Sequence, residues 1–157
     1  MQKEKFDMLI KYVKKAFEEV TEELIDSKYE LTELLSNEDN TKVAIVIGIA
    51  GNNKGRIFLE STFSTASSFT VSMNGEEVLE EPNEMYSYMA EFANMFCGRA
   101  TTYINNEFNE RTVWLTPPAI FSGVNLEIIS PNINSEKIIY KGNHGCFQID
   151  IGLEGGN

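Results

Sequence analysis

The feature that most constrains the fold is a run of branched apolar residues near the middle of the chain. Lys42 to Gly51 (KVAIVIGIAG) is apolar on both faces, as is typical of a strand inside a sheet. Asn52 to Gly55 have the composition of a turn, and the segment GRIFLESTF that follows is again strand-like. The sequence therefore predicts a central β-hairpin. The glycines of this run lack the Gly-Lys-Ser/Thr ending of a phosphate loop and lead into a strand, so we interpret them as part of the hairpin.

Three helices are predicted around the hairpin. Apolar residues recur at spacings of three and four between positions 6 and 25, which indicates a long amphipathic helix. A short helix is expected over Ser64–Met73 and a second long helix over Glu84–Asn106. Pro82 marks the stop before this last helix, and Asn83 is a suitable N-cap for it.

The remaining chain has the pattern of short strands. They are expected over 28–35, 111–115, 119–129, 137–141 and 146–153. In the first of them, Tyr29, Leu31 and Leu34 are expected to point inward. This order of elements predicts an α/β or α+β fold, with one main sheet and a long helix packed on it, in a single domain over residues 1–157.

Composition limits the kinds of partner. The 157 residues include 13 basic and 24 acidic side chains, which give a net charge of −11. This charge repels phosphate backbones and anionic lipids, so nucleic-acid and membrane partners are not expected. The first fifteen residues are charged throughout and do not resemble a secretion signal, so a cytoplasmic location is predicted. In that setting we expect Cys97 and Cys146 to be buried free thiols, although one disulfide is possible.

Neither the single histidine nor the acidic run predicts a metal site. His144 and Cys146 lie two residues apart in a glycine-flanked loop, but no further ligands cluster near them, so His144 is expected to be solvated. A hydrolase or metal site centred on these two residues stays an alternative. The acidic run over 76–84 lacks the spacing of a calcium loop and is expected to be a solvated surface.

The second long helix carries an unusual polar stripe. At about 100° per residue, Met85, Met89, Phe96, Ala100 and Tyr103 share the predicted core arc. On the opposite side, a straight stripe is formed by Ser87, Glu91, Asn94 and Gly98, and Thr101 and Asn105 follow within about 40° of the same line. This stripe has one carboxylate, no basic residue and a mid-helix glycine, which costs about 1 kcal/mol relative to alanine. An ordinary polar face is one interpretation, and a docking ridge in which the glycine admits another backbone is the other.

These residues resemble a known family. Ser87-x-x-x-Glu91-x-x-Asn94 is similar to the signature of the CheC/CheX/FliY chemotaxis phosphatases. The segment Thr116-Pro117-Pro118-Ala119-Ile120-Phe121-Ser122-Gly123, about twenty residues further on, resembles the CheX version of that stretch. The run Ile47-Gly48-Ile49-Ala50-Gly51 resembles the CheX central hairpin. The resemblance covers nearly the whole chain.

The resemblance implies a function for the stripe. In this family the signature helix packs on a phosphorylated CheY-type receiver, which brings its own Mg²⁺ and lysine. Asn94 would orient a water for attack on the aspartyl phosphate, and Glu91 would pair with the receiver lysine. Ser87 and Gly98 would contact the partner. The chain would need no cofactor or metal of its own.

The same resemblance implies how many sites each chain has and offers an alternative function. CheC-type members carry the signature twice, whereas the first helix here has Glu18, Glu19, Glu22 and Glu23 without an Asn three residues later. One site per chain and a homodimer formed through the sheets are therefore implied. The alternative is a non-catalytic module of the same fold that binds a receiver in chemotaxis or flagellar signalling.

Overall fold

Three helices and seven strands make up the computed structural model over the residues that it describes, 2–33, 40–109, 113–129 and 133–154. The helices are α1 (Gln2–Ile25), α2 (Phe63–Met73) and α3 (Pro82–Glu107). The strands are β1 (Glu30–Thr32), β2 (Thr41–Gly51), β3 (Gly55–Thr62), β4 (Val113–Leu115), β5 (Ala119–Val124), β6 (Asn134–Gly142) and β7 (Gly145–Leu153).

The strands form one antiparallel sheet in the order β1-β6-β7-β3-β2-β4, and β5 pairs with β2 as well. β4 pairs with residues 49–51 of β2 and β5 with residues 41–46, so the two short strands follow each other along one edge. The predicted hairpin is confirmed, because β2 and β3 pair along their length, from Ile49 opposite Gly55 to Lys42 opposite Thr62. A sheet without parallel pairs and with separate helices is the α+β form of the predicted fold.

One face of the sheet forms the main core with the helices. Side chains alternate between the two faces of a strand, and the inward set is branched and aliphatic. It includes Ile45 and Ile47 of β2, Ile57 and Leu59 of β3, and Ile149 and Ile151 of β7, all at most 1% exposed. On the other face Arg56 forms an ion pair with Asp150 at 3.1 Å and lies 4.4 Å from the Phe58 ring centroid. Burial raises the pKa of Glu60 on this second face.

Two predicted strands are shorter than expected. The first is limited to Glu30–Thr32, and the prediction for Leu31 is wrong because its side chain is 56% exposed. Tyr29 is buried as predicted, and Leu34 lies outside the described residues. β5 ends at Val124 because Asn125 adopts a left-handed conformation (φ 54°) and donates its N–H to the Asn40 carbonyl at 2.9 Å.

The start of α3 also differs from the prediction. The helix begins at Pro82, and Glu81, with an extended backbone, is its N-cap. Asn83 is therefore inside the first turn and is not the cap. Proline suits the first helical position because that residue needs no N–H partner and its φ is already helical.

The two cysteines are buried and free, as expected. Burial raises the pKa of the Cys97 thiol, which keeps it protonated at neutral pH. Across the part of the chain that is described, no helix combines the length and apolar character needed to cross a membrane.

Candidate functional site

The rotation of α3 about its axis is fixed by the residues it buries. Met85, Met89, Phe96 and Ala100 are at most 3% exposed, which confirms the predicted core arc, while Tyr103 is only partly buried. The buried arc is wider than predicted on one side. Additional buried residues there are Cys97, Thr101 and Ile104.

The flank of α3 that faces α1 is held by charged and polar contacts. Arg99 binds both carboxylate oxygens of Glu23, at 2.8 and 2.7 Å, and these bonds lower the pKa of Glu23. The Tyr103 hydroxyl donates to Glu19 at 2.6 Å. On the other side of α1, Glu18 accepts a bond from the Tyr140 hydroxyl at 2.8 Å. Three of the four glutamates over 18–23 therefore anchor α1, which accounts for their presence without a second signature.

The predicted stripe lies on the solvent side of α3. Ser87, Glu91 and Asn94 are exposed, and Gly98 is half-buried. Ser87 donates its hydroxyl back to the Asn83 carbonyl at 3.4 Å, within its own helix. Among the described residues, neither Glu91 nor Asn94 has a hydrogen-bond or ion-pair partner in the chain. Residues three apart on a helix have Cβ atoms about 5–6 Å apart, so a partner can meet this carboxylate and this amide together.

The backbone is accessible beside Asn94. A Cβ placed on Gly98 would have no described heavy atom within 4 Å beyond its own helix. The Gly98 carbonyl accepts bonds from the hydroxyls of Thr101 and Thr102, at 2.8 and 3.1 Å. The helix backbone at Gly98 therefore faces open space, and another chain can approach it closely.

Beyond Gly98 the stripe has a structural task that the sequence did not predict. Thr101 is buried, and Asn105 pairs with the backbone of β4. The Asn105 amide donates to the Val113 carbonyl at 2.9 Å and accepts the Val113 N–H at 3.0 Å. Asn105 thus satisfies the backbone N–H and carbonyl of Val113 in the edge strand β4, as a neighbouring strand would. A groove of about 530 Å³ lies here, lined by Thr101, Asn105, Val113, Trp114 and Leu115.

The Thr-Pro-Pro segment connects the two edge strands. The Thr116 N–H donates to the Gly48 carbonyl at 2.9 Å, and the Gly48 N–H donates to the Thr116 hydroxyl at 2.8 Å. A Cβ on Gly48 would lie 2.8 Å from that hydroxyl oxygen, so glycine leaves room for the threonine side chain. Prolines suit this edge position because proline has no backbone N–H, and an edge strand has N–H groups that need not bond to a further strand.

The expectation of a solvated His144 is wrong. Its Nδ1 lies 3.0 Å from the Tyr29 hydroxyl and its Nε2 lies 2.8 Å from the Ser72 hydroxyl. The turn between β6 and β7 is thereby joined to Tyr29, the residue before β1, and to α2. No group of three His, Cys, Asp or Glu residues within the described ranges is placed to hold a metal ion, so the metal alternative gains no support.

Comparison with known proteins identifies the family to which this fold belongs. The sequence profile of the CheX family, described as chemotaxis phosphatase CheX, matches residues 43–148. The chain belongs to the CheX family. None of the curated protein sequences matches it.

Solved structures agree with this fold. Chemotaxis protein CheX from Desulfovibrio desulfuricans superposes with a TM-score of 0.78 at 22% identity, over 93% of this chain and 99% of that one. CheX from Vibrio vulnificus gives a TM-score of 0.78 at 18% identity, over 93% and 96%. A chain of the CheX–CheY–BeF3–Mg²⁺ complex from Borrelia burgdorferi gives 0.64 at 19% identity, over 92% and 97%.

Replacing Gly98 by alanine is expected to stabilise the isolated protein. Alanine is favoured over glycine in a helix by about 1 kcal/mol, and the new methyl group meets open space. For a domain of this size the melting temperature should rise by roughly 2–4 °C. Thermal unfolding followed by circular dichroism measures this. A lower melting temperature would show that Gly98 is required by the fold itself.

His144 is expected to make stability depend on pH. Desolvation lowers the pKa of His144, and the charge of Glu76 partly opposes this. As pH falls below about 6.5, the unfolded chain takes up a proton that the folded chain resists, so stability is lost. Between pH 7.5 and 5.5 the melting temperature of the wild type should fall further than that of His144→Gln. Equal decreases would contradict the prediction.

Proposed function

We propose that this CheX-family chain is a phosphatase for a phosphorylated CheY-type response regulator. The observation that carries the proposal is the exposed pair Glu91 and Asn94, one turn apart on a well-packed helix and without partners among the described residues. Side chains left unpaired on a rigid element are available to a partner without breaking internal bonds. The structure of a CheX–CheY complex from Borrelia burgdorferi supports this kind of partner.

The proposed reaction is hydrolysis of an aspartyl phosphate on the receiver. Water adds to phosphorus as the bond to the aspartate oxygen breaks, which yields inorganic phosphate and the free carboxylate. Such transfers depend mainly on alignment and charge neutralisation. The receiver supplies the Mg²⁺ and a lysine, so this chain needs no cofactor of its own. Asn94 holds the attacking water, because its amide both donates and accepts hydrogen bonds and adds no charge.

Glu91 has a different role in this proposal. It forms an ion pair with the receiver lysine and so fixes how the two proteins are aligned. No basic residue of α3 competes for it, because Arg99 is engaged with Glu23 and Glu19. Ser87 contacts the partner one turn earlier, and Gly98 lets the receiver backbone approach the helix.

We further propose that the protein acts in the cytoplasm as a homodimer with one site per chain. The face of the sheet opposite the main core is the proposed dimer surface. Alternation along β5 places Phe121, which is 49% exposed, on this face opposite Ala44. An exposed aromatic side chain of this kind is typical of a protein interface.

Asn94→Ala is expected to lower the rate of phosphate loss from a Mg²⁺-loaded phosphorylated receiver by roughly 10²-fold or more. The dissociation constant should change little, because Asn94 positions water and does not hold the partner. Phosphate release gives the rate, and titration with the receiver gives the affinity. Asn106→Ala, at an exposed asparagine of α3 outside the stripe, is the matched control. A wild type that binds without speeding phosphate loss would instead indicate the non-catalytic module.

Glu91→Gln is expected to weaken receiver binding while leaving the rate at saturation within a few-fold of wild type. The change removes the charge with little change in shape, so the loss of affinity measures the ion pair. A tenfold increase in the dissociation constant corresponds to about 1.4 kcal/mol. The weakening should shrink as salt increases, because salt screens the pair. Glu22→Gln on the exposed side of α1 is the control. Unchanged affinity for Glu91→Gln would exclude the pairing.

A further inference from the structure

The exposed face of α3 changes its chemistry at Asn94. Towards the N-terminus it carries Glu84 and Glu91, next to the acidic run over 76–84. Towards the C-terminus, Arg99 lies on the flank that faces α1, where it is engaged with Glu19 and Glu23. The solvent side away from that flank carries Met95 and Thr102, which are exposed, and Gly98 and Asn105, which are half-buried. None of these is charged, in a chain with 24 acidic residues and a net charge of −11. We call these four residues, together with the adjoining groove, the uncharged surface.

The groove deepens this surface beside β4. Among the residues that the structure describes, its lining contains no ionisable side chain, and Val113 in that lining is 1% exposed. Leu115 packs against the core, whereas Trp114 is 50% exposed and Met95 is 36% exposed. Tryptophan and methionine are enriched in the buried centres of protein interfaces, from which charged residues are depleted. The composition is therefore that of an interface centre and contrasts with the surrounding acidic surface.

The uncharged surface lies within reach of a partner centred on Asn94. Eleven residues separate Asn94 from Asn105, which is about 16 Å along the helix axis. A standard interface covers about 800 Å² on each partner, or roughly 28 Å across. A receiver whose phosphorylated aspartate meets Asn94 therefore covers most of this surface.

We propose that the uncharged surface binds an uncharged, apolar segment of the receiver that flanks its phosphorylated aspartate, with an apolar side chain in the groove. This inference rests on the proposed function and adds where the binding energy comes from. A phosphorylated partner carries negative charge, and most of this chain repels it. Contact over the uncharged surface excludes water without desolvating a carboxylate, which is costly when the charge is left unpaired.

A pair of variants at Thr102 tests this surface. Thr102 is exposed, and Glu and Gln both suit a helix, so Thr102→Glu and Thr102→Gln differ essentially in one charge. Titration with a beryllofluoride-loaded receiver should give a dissociation constant at least tenfold weaker for Thr102→Glu than for Thr102→Gln. Asn143→Glu, in the exposed turn between β6 and β7, adds the same charge elsewhere and should leave the affinity unchanged.

The outcomes separate this inference from the function on which it rests. Dissociation constants for Thr102→Glu and Thr102→Gln within threefold of each other would overturn the inference, while receiver binding by the wild type would leave the proposed function standing. A wild type that binds no receiver of its own organism would overturn the proposed function itself. As an independent readout, a benzophenone on Thr102→Cys should crosslink to the bound receiver, and the same group on Asn143→Cys should not. The native thiols are buried, which makes this labelling selective.

Discussion

Phe17 lies where α1, α3 and the sheet meet, and the placement of the site depends on its contacts. Its ring centroid is 5.6 and 5.4 Å from those of Phe92 and Phe96 on α3, and it stacks on Tyr140 of β6 at 4.4 Å. Aromatic contacts of this kind fix geometry as well as bury area. A shift of one residue turns a helix by about 100°. Such a turn would remove Phe92 from this cluster and bring Glu91 towards the apolar interior, where an unpaired charge is very costly. The exposure of the stripe is therefore a consequence of the core.

The edge of the sheet fixes the other flank of α3. Asn105 binds both peptide groups of Val113, and Thr116 joins the following residues to Gly48 of β2. The C-terminal half of the helix is thus connected to the central strand through a short edge strand. This connection forms the groove beside the stripe. It also gives the Thr-Pro-Pro segment a structural reason to accompany the signature, because the segment keeps β4 in position next to the helix.

Features that depend on local periodicity could be predicted from the sequence, and features that depend on distant contacts could not. The 3.6-residue pattern of α3 assigned Phe96 to the buried face of the helix and Asn94 to the exposed face. The turn between β2 and β3 was evident from its composition. The bond between Tyr29 and His144 joins residues 115 apart, and that between Arg99 and Glu23 joins residues 76 apart. Nothing in the local sequence of either residue indicates its partner. The groove was missed for the same reason, because its two walls come from α3 and β4.

The distribution of charge along α3 favours one orientation of a phosphorylated partner. Between Asn94 and Asn105 the one charged side chain of the helix is Arg99, which is paired with Glu19 and Glu23 on α1, whereas the acidic run over 76–84 leads into the first turn of the helix. If the receiver binds as proposed, turning it end for end would place its apolar segment against this run and would lose the uncharged contact. Glu91 stands at the boundary, one turn from Asn94, so a cation of the partner can meet the carboxylate while the phosphoryl group meets a neutral amide. An aspartate at position 94 would instead add a negative charge beside the phosphoryl group. In the proposed function, a neutral positioning residue would therefore allow a chain with a net charge of −11 to act on an anionic group.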